Sequence, residues 1–549
     1  MSPICTNFAP NHTYLLMKRL TITFASLLCA ATLSAQNGDG GSQKSKWNPL
    51  DSLTYNVVLQ SSFSKGKTPL WLNANKYGMS SLERNNGYAR ASVYRPLSAD
   101  DEHKFGLAYG VDVAVPYNYT SNFVLQQAYV EGRWLKGTLT IGAKEEPMEL
   151  KNSYLSSGSQ TLGINARPTP GVRLALPDYW TVPLTRGWLH FKGHMFFGVQ
   201  TDGDWQEDFA KRYHQRFTKN VITHTKAGYL MIGNPEKFIP WSVELGLEMV
   251  TYFGGDIYRP TSDGGYSVDK RDHGFKDYFK SFWGFGAEKG ETEWTGKEGD
   301  MLGSWVARIN YDGDINSFHF YADKFFEDHS MMFQVDKTGY GSGEEWTKWK
   351  KKKFIVYDMK DMMLGFEWNY KPDSWLNDFV FEYLYTKYQS GPIYHDHTPE
   401  LPDHLGGSDN YYNHYMYSGH QHWGQVAGNP LYRSPVYNDT YDKDGTMRVR
   451  DNRFIAFHMG LGGHPNEYLR YRLLATWQEG WGTYETPYIK AHHNVSLLAE
   501  ASYALHSINH RFWNGVNVKV GAGADFGSIL EGNNYGVQFT ISKTGLIKF

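Results

Sequence analysis

The chain closes on an alternating strand whose last residue is aromatic. Residues 533–549 read NNYGVQFTISKTGLIKF: Tyr535, Val537, Phe539 and Ile541 fall on one face, Gly536, Gln538, Thr540 and Ser542 on the other, and Phe549 is last. Successive strand side chains point to opposite faces, so this pattern gives one apolar and one polar side. The pattern recurs upstream. Val516, Val518, Val520, Ala522 and Ala524 oppose Asn517, Lys519, Gly521, Gly523 and Asp525; Val495, Leu497, Ala499, Ala501, Tyr503 and Leu505 oppose Ser496, Glu500, Ser502 and His506. Leu469, Tyr471, Leu473, Ala475 and Trp477 oppose Arg470, Arg472, Thr476 and Gln478; Phe379, Phe381, Tyr383 and Tyr385 oppose Glu382 and Thr386. Each run is about 9–12 residues, the length of a tilted strand crossing an outer membrane. Arg308, Glu367, Glu382, Arg470, Arg472 and Lys519 lie on the polar faces, where a wet lumen accepts what lipid refuses.

These features predict an all-β fold, a transmembrane antiparallel β-barrel of about 18 strands with long extracellular loops, in the outer membrane of a Gram-negative bacterium. A soluble sandwich also alternates. The size of the chain, the missing disulfides and the small outward residues of the 516–524 strand argue against one. Closing a barrel satisfies every strand edge, which lipid demands. The terminal Phe549 resembles the signal read by the barrel assembly machinery, a predicted partner alongside outer-membrane lipid.

The N-terminus reads as an address. Lys18 and Arg19 precede an apolar stretch from Leu20 to Ala31, and Leu33-Ser34-Ala35 forms a cleavage site before Gln36. Residues 17–35 are read as a signal peptide, 1–16 as a mis-assigned upstream extension, 36–53 as a short periplasmic leader and 54–549 as the barrel. A lipoprotein anchor at Cys29 fits less well, because the large Leu28 precedes it. Both cysteines, Cys5 and Cys29, fall in the removed part, so no disulfide staples the exported chain. Removing residues 1–35 takes away two bases and leaves a net charge of about −4, which argues against a nucleic-acid partner.

Three long polar intervals interrupt the strands, near 144–170, 253–300 and 389–450. Barrels keep short turns on the periplasmic side and long loops outside, so all three are expected outside. The third contains Ser408 to Gln425, SDNYYNHYMYSGHQHWGQ, with neither helical nor strand period. A metal is one reading: His395, His397, His404, His414, His420 and His422 crowd the loop. HxH pairs without Cys or HExxH spacing are weak ligand signals, and no metal or other cofactor is predicted. Nucleophilic catalysis is another. No GxSxG is present and no cysteine survives processing, so the chain is read as a non-enzyme, with a lipid hydrolase as the remote alternative. Lys350, Lys351, Lys352 and Lys353 beside Trp346 and Trp349 read as a basic rim, able to hold a polyanion.

Carbohydrate suits the Tyr/His/Asn stretch best, because rings cover the apolar side of a sugar while Asn, Asp, His and Tyr heads meet its hydroxyls. The candidate contacts are Asp409, Asn410, Tyr411, Tyr412, Asn413, His414, Tyr417 and Trp423. The competing reading is that these residues pack a large loop onto the barrel.

Several segments resemble the Wzi-type capsule assembly family: Asp409-Asn410-Tyr411-Tyr412-Asn413-His414, Gly424 to Leu431, Phe381 to Thr386 followed by Gln389-Ser390-Gly391-Pro392, Phe326-Glu327-Asp328, Gly254-Gly255 and Gly482-Thr483-Tyr484. They run across most of the mature chain in order. The resemblance implies an 18-stranded barrel, a monomer, that acts as a lectin: it binds capsular polysaccharide, tethers it to the cell, and has no enzyme activity. Enteric members close the periplasmic opening with a helical bundle. Here Gln36 to Leu53 supplies about 27 Å of helix at most, too little for a bundle, which leaves closure of the lumen open. A porin is therefore the chief alternative.

Overall fold

In the computed structural model, residues 47–271, 299–327, 359–389, 408–439, 443–505, 513–530 and 532–547 are described, together with 274, 278, 393–394 and 405–406. The residues read as a signal peptide, 17–35, the lysines at 350–353 and Phe549 lie outside the described residues.

Residues 50–549 form one unit built on a closed sheet of 18 antiparallel strands. In chain order these are β1 (Thr54–Lys65), β2 (Asn85–Arg95), β3 (Phe105–Tyr117), β4 (Val124–Trp134), β5 (Gly137–Ala143), β6 (Gly171–Thr181), β7 (Leu189–Val199), β8 (Ile222–Gly233) and β9 (Trp241–Phe253). There follow β10 (Asp300–Asp312), β11 (Asn316–Glu327), β12 (Met362–Tyr370), β13 (Ser374–Tyr385), β14 (Phe454–His464), β15 (Leu469–Gly482), β16 (Pro487–Ala504), β17 (Val516–Gly527) and β18 (Asn534–Leu546). Each strand pairs with its neighbours in sequence. The ring closes where β1 meets β18, from Thr54 opposite Leu546 to Lys65 opposite Tyr535. No edge is left unpaired, which is the condition for a sheet in lipid.

The alternation read from sequence is the wall itself. Tyr535, Val537, Phe539 and Ile541 are exposed outward, while Asn534, Gly536, Gln538 and Thr540 are buried inward. Outward rings gather at both rims: Phe105, Trp134, Trp241 and Trp375 at one end, Tyr117, Phe123, Phe526 and Tyr535 at the other. Apolar bands flanked by aromatic girdles are the outer face of a transmembrane barrel. Inside, Arg308 pairs with Glu367 at 3.1 Å, Arg472 with Glu500 at 3.0 Å and Lys519 with Glu500 at 3.4 Å. Four of the six charges assigned to a lumen from sequence thus meet opposite charges there; Glu382 instead accepts from Ser157 N–H and the Tyr321 hydroxyl, and Arg470 lies 5.9 Å from the Tyr154 ring centroid. Among the described residues, no helix is long and apolar enough to cross a membrane, so the crossing is by strands.

All the long connections leave from the same end as 144–170: 66–84, 200–221, 254–299, 328–361 and 386–453. The other end has short turns such as 135–136, 313–315 and 371–373. Short turns mark the periplasmic side. The sequence reading of three external loops did not anticipate what two of them do. Residues 144–170 turn back through the barrel, and 408–452 fold down onto them.

Candidate binding site in the inserted loops

The 144–170 segment reaches deep. Arg308 of β10 donates to the Leu150 carbonyl at 2.8 Å, Asn152 donates to Glu367 of β12 at 3.2 Å, and Arg472 of β15 donates to the Tyr154 carbonyl at 2.7 Å. Arg472 stands three residues from the periplasmic start of its strand. The segment is stitched to the wall by polar groups that would otherwise be buried alone. Ser157 N–H donates to Glu382 at 2.8 Å, Lys151 pairs with Asp323 at 2.9 Å, Thr161 and Ser304 hydroxyls lie 2.7 Å apart, and Lys192 pairs with Glu149 at 2.6 Å. A short helix, Leu70–Asn73, plugs the opposite wall: Leu70 N–H donates to Asp525 at 3.0 Å and Trp71 Nε1 to Thr476 at 3.1 Å. The inserted segments therefore bond to β7, β10, β11, β12, β13, β15 and β17, which are spread around the ring.

The glycines of the inner wall make room for this. A Cβ on Gly460 would lie 2.6 Å from the Leu155 carbonyl oxygen, and one on Gly523 would lie 2.9 Å from Leu72 Cγ. Both distances are below any real Cβ contact, so the approach requires glycine.

The 408–452 segment lies above and against the first insertion. Tyr411 and Tyr412 are fully buried. The Tyr411 hydroxyl donates to Asp361 at 3.0 Å, and its ring meets Phe325 edge-on at 4.6 Å. The Tyr412 hydroxyl donates to the Gln160 carbonyl and accepts from Asn429 N–H at 3.1 Å, tying the two inserted loops together; its ring stacks on Tyr432 at 4.0 Å. Burial, reinforced at Tyr411 by the nearby Asp361 carboxylate, drives both phenol pKa values well up.

Asn413 clamps the loop: its Nδ2 donates to the Val449 carbonyl at 2.9 Å and its Oδ1 accepts from Val449 N–H at 2.8 Å. Asn452 Nδ2 donates to Asn410 Oδ1 at 2.6 Å and to the Tyr411 carbonyl at 2.9 Å. His414 Nδ1 accepts from the N–H groups of Met416 and Tyr417 at 3.1 and 3.2 Å, and Arg216 donates to the carbonyls of His414 and Tyr417. Desolvation, with the Arg216 charge adding to it, lowers the His414 pKa to about 3.

Of the eight sugar contacts read from sequence, Asp409, Tyr411, Tyr412, Asn413, His414 and Tyr417 are buried, and Asn410 and Trp423 are half-buried. The stretch is therefore brought together, but mostly as packing between loops. Trp423 lies at the edge, with the Arg167 guanidinium 4.2 Å from its ring centroid. Trp205, which sequence reasoning passed over, joins it: a Cβ on the intervening Gly424 would strike the Trp205 ring, and Gly203 lies against Trp423. Both indoles are half-buried beside the acidic turn of Asp202 and Asp204. Tyr415 is 45% exposed.

The histidine pair is also accounted for. His420 bonds the Tyr252 hydroxyl and the Thr161 carbonyl, each at 2.8 Å, and His422 bonds the carbonyls of Arg167 and Thr201 at 2.9 and 3.0 Å. All four ring nitrogens face protein partners. Among the described residues, no group of three or more His, Cys, Asp or Glu side chains could hold a metal ion. His395, His397 and His404 lie outside the described residues.

The closed 18-stranded ring, its apolar belt and its aromatic girdles define an outer-membrane β-barrel of a Gram-negative cell, with inserted loops inside it. No family model and no curated protein matches the sequence. Among solved structures the chain is similar to Wzi of Escherichia coli, described as a carbohydrate-binding β-barrel involved in group 1 capsule assembly. The identity is 12%, the match covers 90% of this chain and 85% of that one, and the TM-score is 0.51. OprD of Pseudomonas aeruginosa matches at 8% identity over 91% of this chain and 96% of its own, with a TM-score of 0.42. OccAB4 of Acinetobacter baumannii matches at 10% identity over 91% and 100%, also with a TM-score of 0.42. At these identities the likeness is one of fold.

Proposed function

We propose that this barrel binds surface polysaccharide through its extracellular cap and helps assemble or tether a capsule. The observation that carries the reading is the occupied lumen: 70–73 and 144–170 bond to the wall around the ring, and 408–452 lies over them. Such a barrel suits a platform that presents a surface better than a path for diffusion. The Escherichia coli barrel of the same fold is described as carbohydrate-binding and involved in capsule assembly, and this reading extends that role here.

The sugar contacts we assign are Trp423 and Trp205, with Asn410 and Tyr415 as further accessible groups on the cap. Each contact with a polymer is shallow, and avidity along it supplies retention. The buried Asp409, Tyr411, Tyr412, Asn413, His414 and Tyr417 then hold the shape of the cap. The basic run at Lys350, Lys351, Lys352 and Lys353 adds an electrostatic hold if the glycan is acidic. The test is capsule partition between cells and medium. A W205A/W423A variant with normal amounts of folded barrel should shed more polymer at unchanged total synthesis. Unchanged partition rejects the site.

One observation favours a porin instead: the inner wall is lined with charge, including Arg90 paired with Asp112 and with Glu145 at 3.0 Å. Planar-bilayer recording separates the two readings. Silence supports the binding barrel, and a steady open current supports the porin.

A further inference from the structure

The outward wall of β13–β16 carries a feature that polysaccharide binding does not use. Lys387 continues the lipid-facing series Phe381, Tyr383, Tyr385; Arg453 continues Ile455, Phe457, Met459; and Trp481 continues Leu473, Ala475, Trp477. At the extracellular rim these side chains meet. Lys387 Nζ lies 3.7 Å from the Trp481 ring centroid, and the Arg453 guanidinium lies 3.7 Å from the Tyr484 centroid. Arg453 Nε donates to the Lys387 carbonyl at 3.1 Å, Tyr484 Oη donates to the Tyr388 carbonyl at 2.7 Å, and Lys360 Nζ sits 4.3 Å from the Tyr388 ring.

Among the described residues, no carboxylate forms an ion pair with Lys387 or Arg453. Two acids share the face. Glu485 pairs with Arg448, and Glu479 lies opposite His493 one row below. Aromatic faces hold the two cations in place, so little rotamer freedom remains to be lost when an anion binds.

Further down the wall, between β14 and β17, the belt is hollow: Ala475 lies six residues below Trp481 along β15, roughly 20 Å of extended strand, and Ala499 pairs with Leu473 and Ala522. Ala475, Ala499 and Ala522 stand where neighbouring strands present large side chains. With Met459, Leu473 and Leu497 they line an open apolar groove of about 440 Å³. A second groove of about 200 Å³, walled by Phe381, Phe457 and Trp477, shares Met459 and Ala475 with the first and leads up toward the cations. Arg453 stands four residues above Phe457 along β14, roughly 13 Å of extended strand.

We propose that this strip binds one molecule of the phosphorylated, multiply acylated glycolipid of the outer leaflet. Its phosphate sits between Lys387 and Arg453, and one acyl chain lies in the alanine groove. Charge complementarity selects this occupant: an apolar groove within the lipid belt suits a chain, and two fixed cations above it suit a phosphate, which guanidinium binds with short charge-assisted bonds. A neutral lipid would fill the groove but leave the two cations unused.

The test uses detergent-purified full-length barrel and native mass spectrometry, with bis-phosphorylated hexa-acyl lipid A as probe and phosphatidylglycerol as competitor. Four proteins are compared: the unaltered chain, K387Q/R453Q, A499F to fill the groove, and K65Q as a rim charge on another face. We expect one lipid A per barrel for the unaltered chain and K65Q, at least tenfold less in the other two, and no displacement by equimolar phosphatidylglycerol. Unchanged retention in K387Q/R453Q overturns the proposal, as does displacement by phosphatidylglycerol. Unchanged retention in A499F overturns the seated chain. If the double variant does not fold, as judged by heat-modified gel mobility, A499F and the competition still decide.

Discussion

Lys151 Nζ lies 2.9 Å from Asp323 Oδ2, and both side chains are all but excluded from solvent. Lys151 belongs to the inserted 144–170 segment and Asp323 to the wall strand β11, so this pair fastens the insertion to the barrel. Asp323 Oδ2 also accepts from Gln160 N–H at 3.2 Å, and the negative Glu248 nearby adds to the pull on the ammonium. Burial alone would lower the Lys151 pKa, but Asp323, with Glu248 and Glu382 adding to it, outweighs that cost and holds it above its ordinary value.

Removing one partner strands the other. Lys151→Met leaves the Asp323 carboxylate buried without its cation, which costs about 3–5 kcal/mol. The double variant K151M/D323L removes both charges and should recover most of that loss. Urea unfolding of the barrel in detergent, followed by tryptophan fluorescence, reads the difference. Equal loss in the single and double variants would show that the pair does not fasten the insertion.

Tyr411 and Tyr412 divide the labour of the 408–452 segment, and their substitutions should differ. Tyr411→Ala empties a fully buried site against Phe325 and should cost about 3–5 kcal/mol. Tyr412→Phe keeps the stack on Tyr432 but removes the hydroxyl that bonds Gln160 and Asn429, leaving their groups unpaired, at about 1–3 kcal/mol. Limited proteolysis between 408 and 452 should rank the variants in that order. Proteolysis equal to the unaltered chain in Tyr411→Ala would contradict a packing role.

Acidification should loosen the same segment. His414 and His420 are held neutral by burial, with pKa values lowered to about 3 and about 4. A group depressed on folding contributes stability that is present above its unfolded pKa of about 6.5 and is lost as pH falls toward the folded value. Asp451, raised to about 7 by burial, works in the opposite direction: its contribution is present at low pH and lost as pH rises through 7. The measurement must therefore be local. Amide protection factors for 411–420 should fall roughly tenfold or more between pH 7 and pH 5. Constant protection over that range would mean that the two rings do not couple to the fold.

The wall was legible from sequence because its signal is repeated in every strand. A period of two, carried by Tyr535 to Ile541 and again by Leu469 to Trp477, fixes which face meets lipid, and the charges opposite find partners within the ring. The inserted loops were not legible by the same route. Tyr411, Tyr412 and His414 have the composition of a sugar site, but composition does not tell whether a ring faces water or another ring, and here Phe325, Tyr432 and Tyr417 take those faces. The signal that could have disclosed the insertion lies in the wall. Gly460, Gly462, Gly521, Gly523 and Gly536 place no side chain on the inner face, and a barrel packs such bare backbone against something. Read as gaps in the lumen lining, they mark where Leu72 and Leu155 arrive.

That relation gives the last prediction. A Cβ on Gly460 would lie 2.6 Å from the Leu155 carbonyl and 2.8 Å from Leu155 Cβ, so Gly460→Val cannot keep the insertion where it is. The clash is with backbone, which cannot rotate away as a side-chain tip would. His458, two residues along β14, bonds the Leu155 carbonyl at 2.7 Å and loses that partner if the loop shifts. Overpacking of this kind costs about 1–3 kcal/mol, and the wall remains intact because Gly460 pairs with Leu474 and Val380 through backbone alone. The expected outcome is a barrel of normal heat-modified mobility whose bilayer recordings show openings that the unaltered chain lacks. If the unaltered chain already conducts steadily and Gly460→Val changes nothing, the inserted segment does not close the lumen, and the porin reading gains.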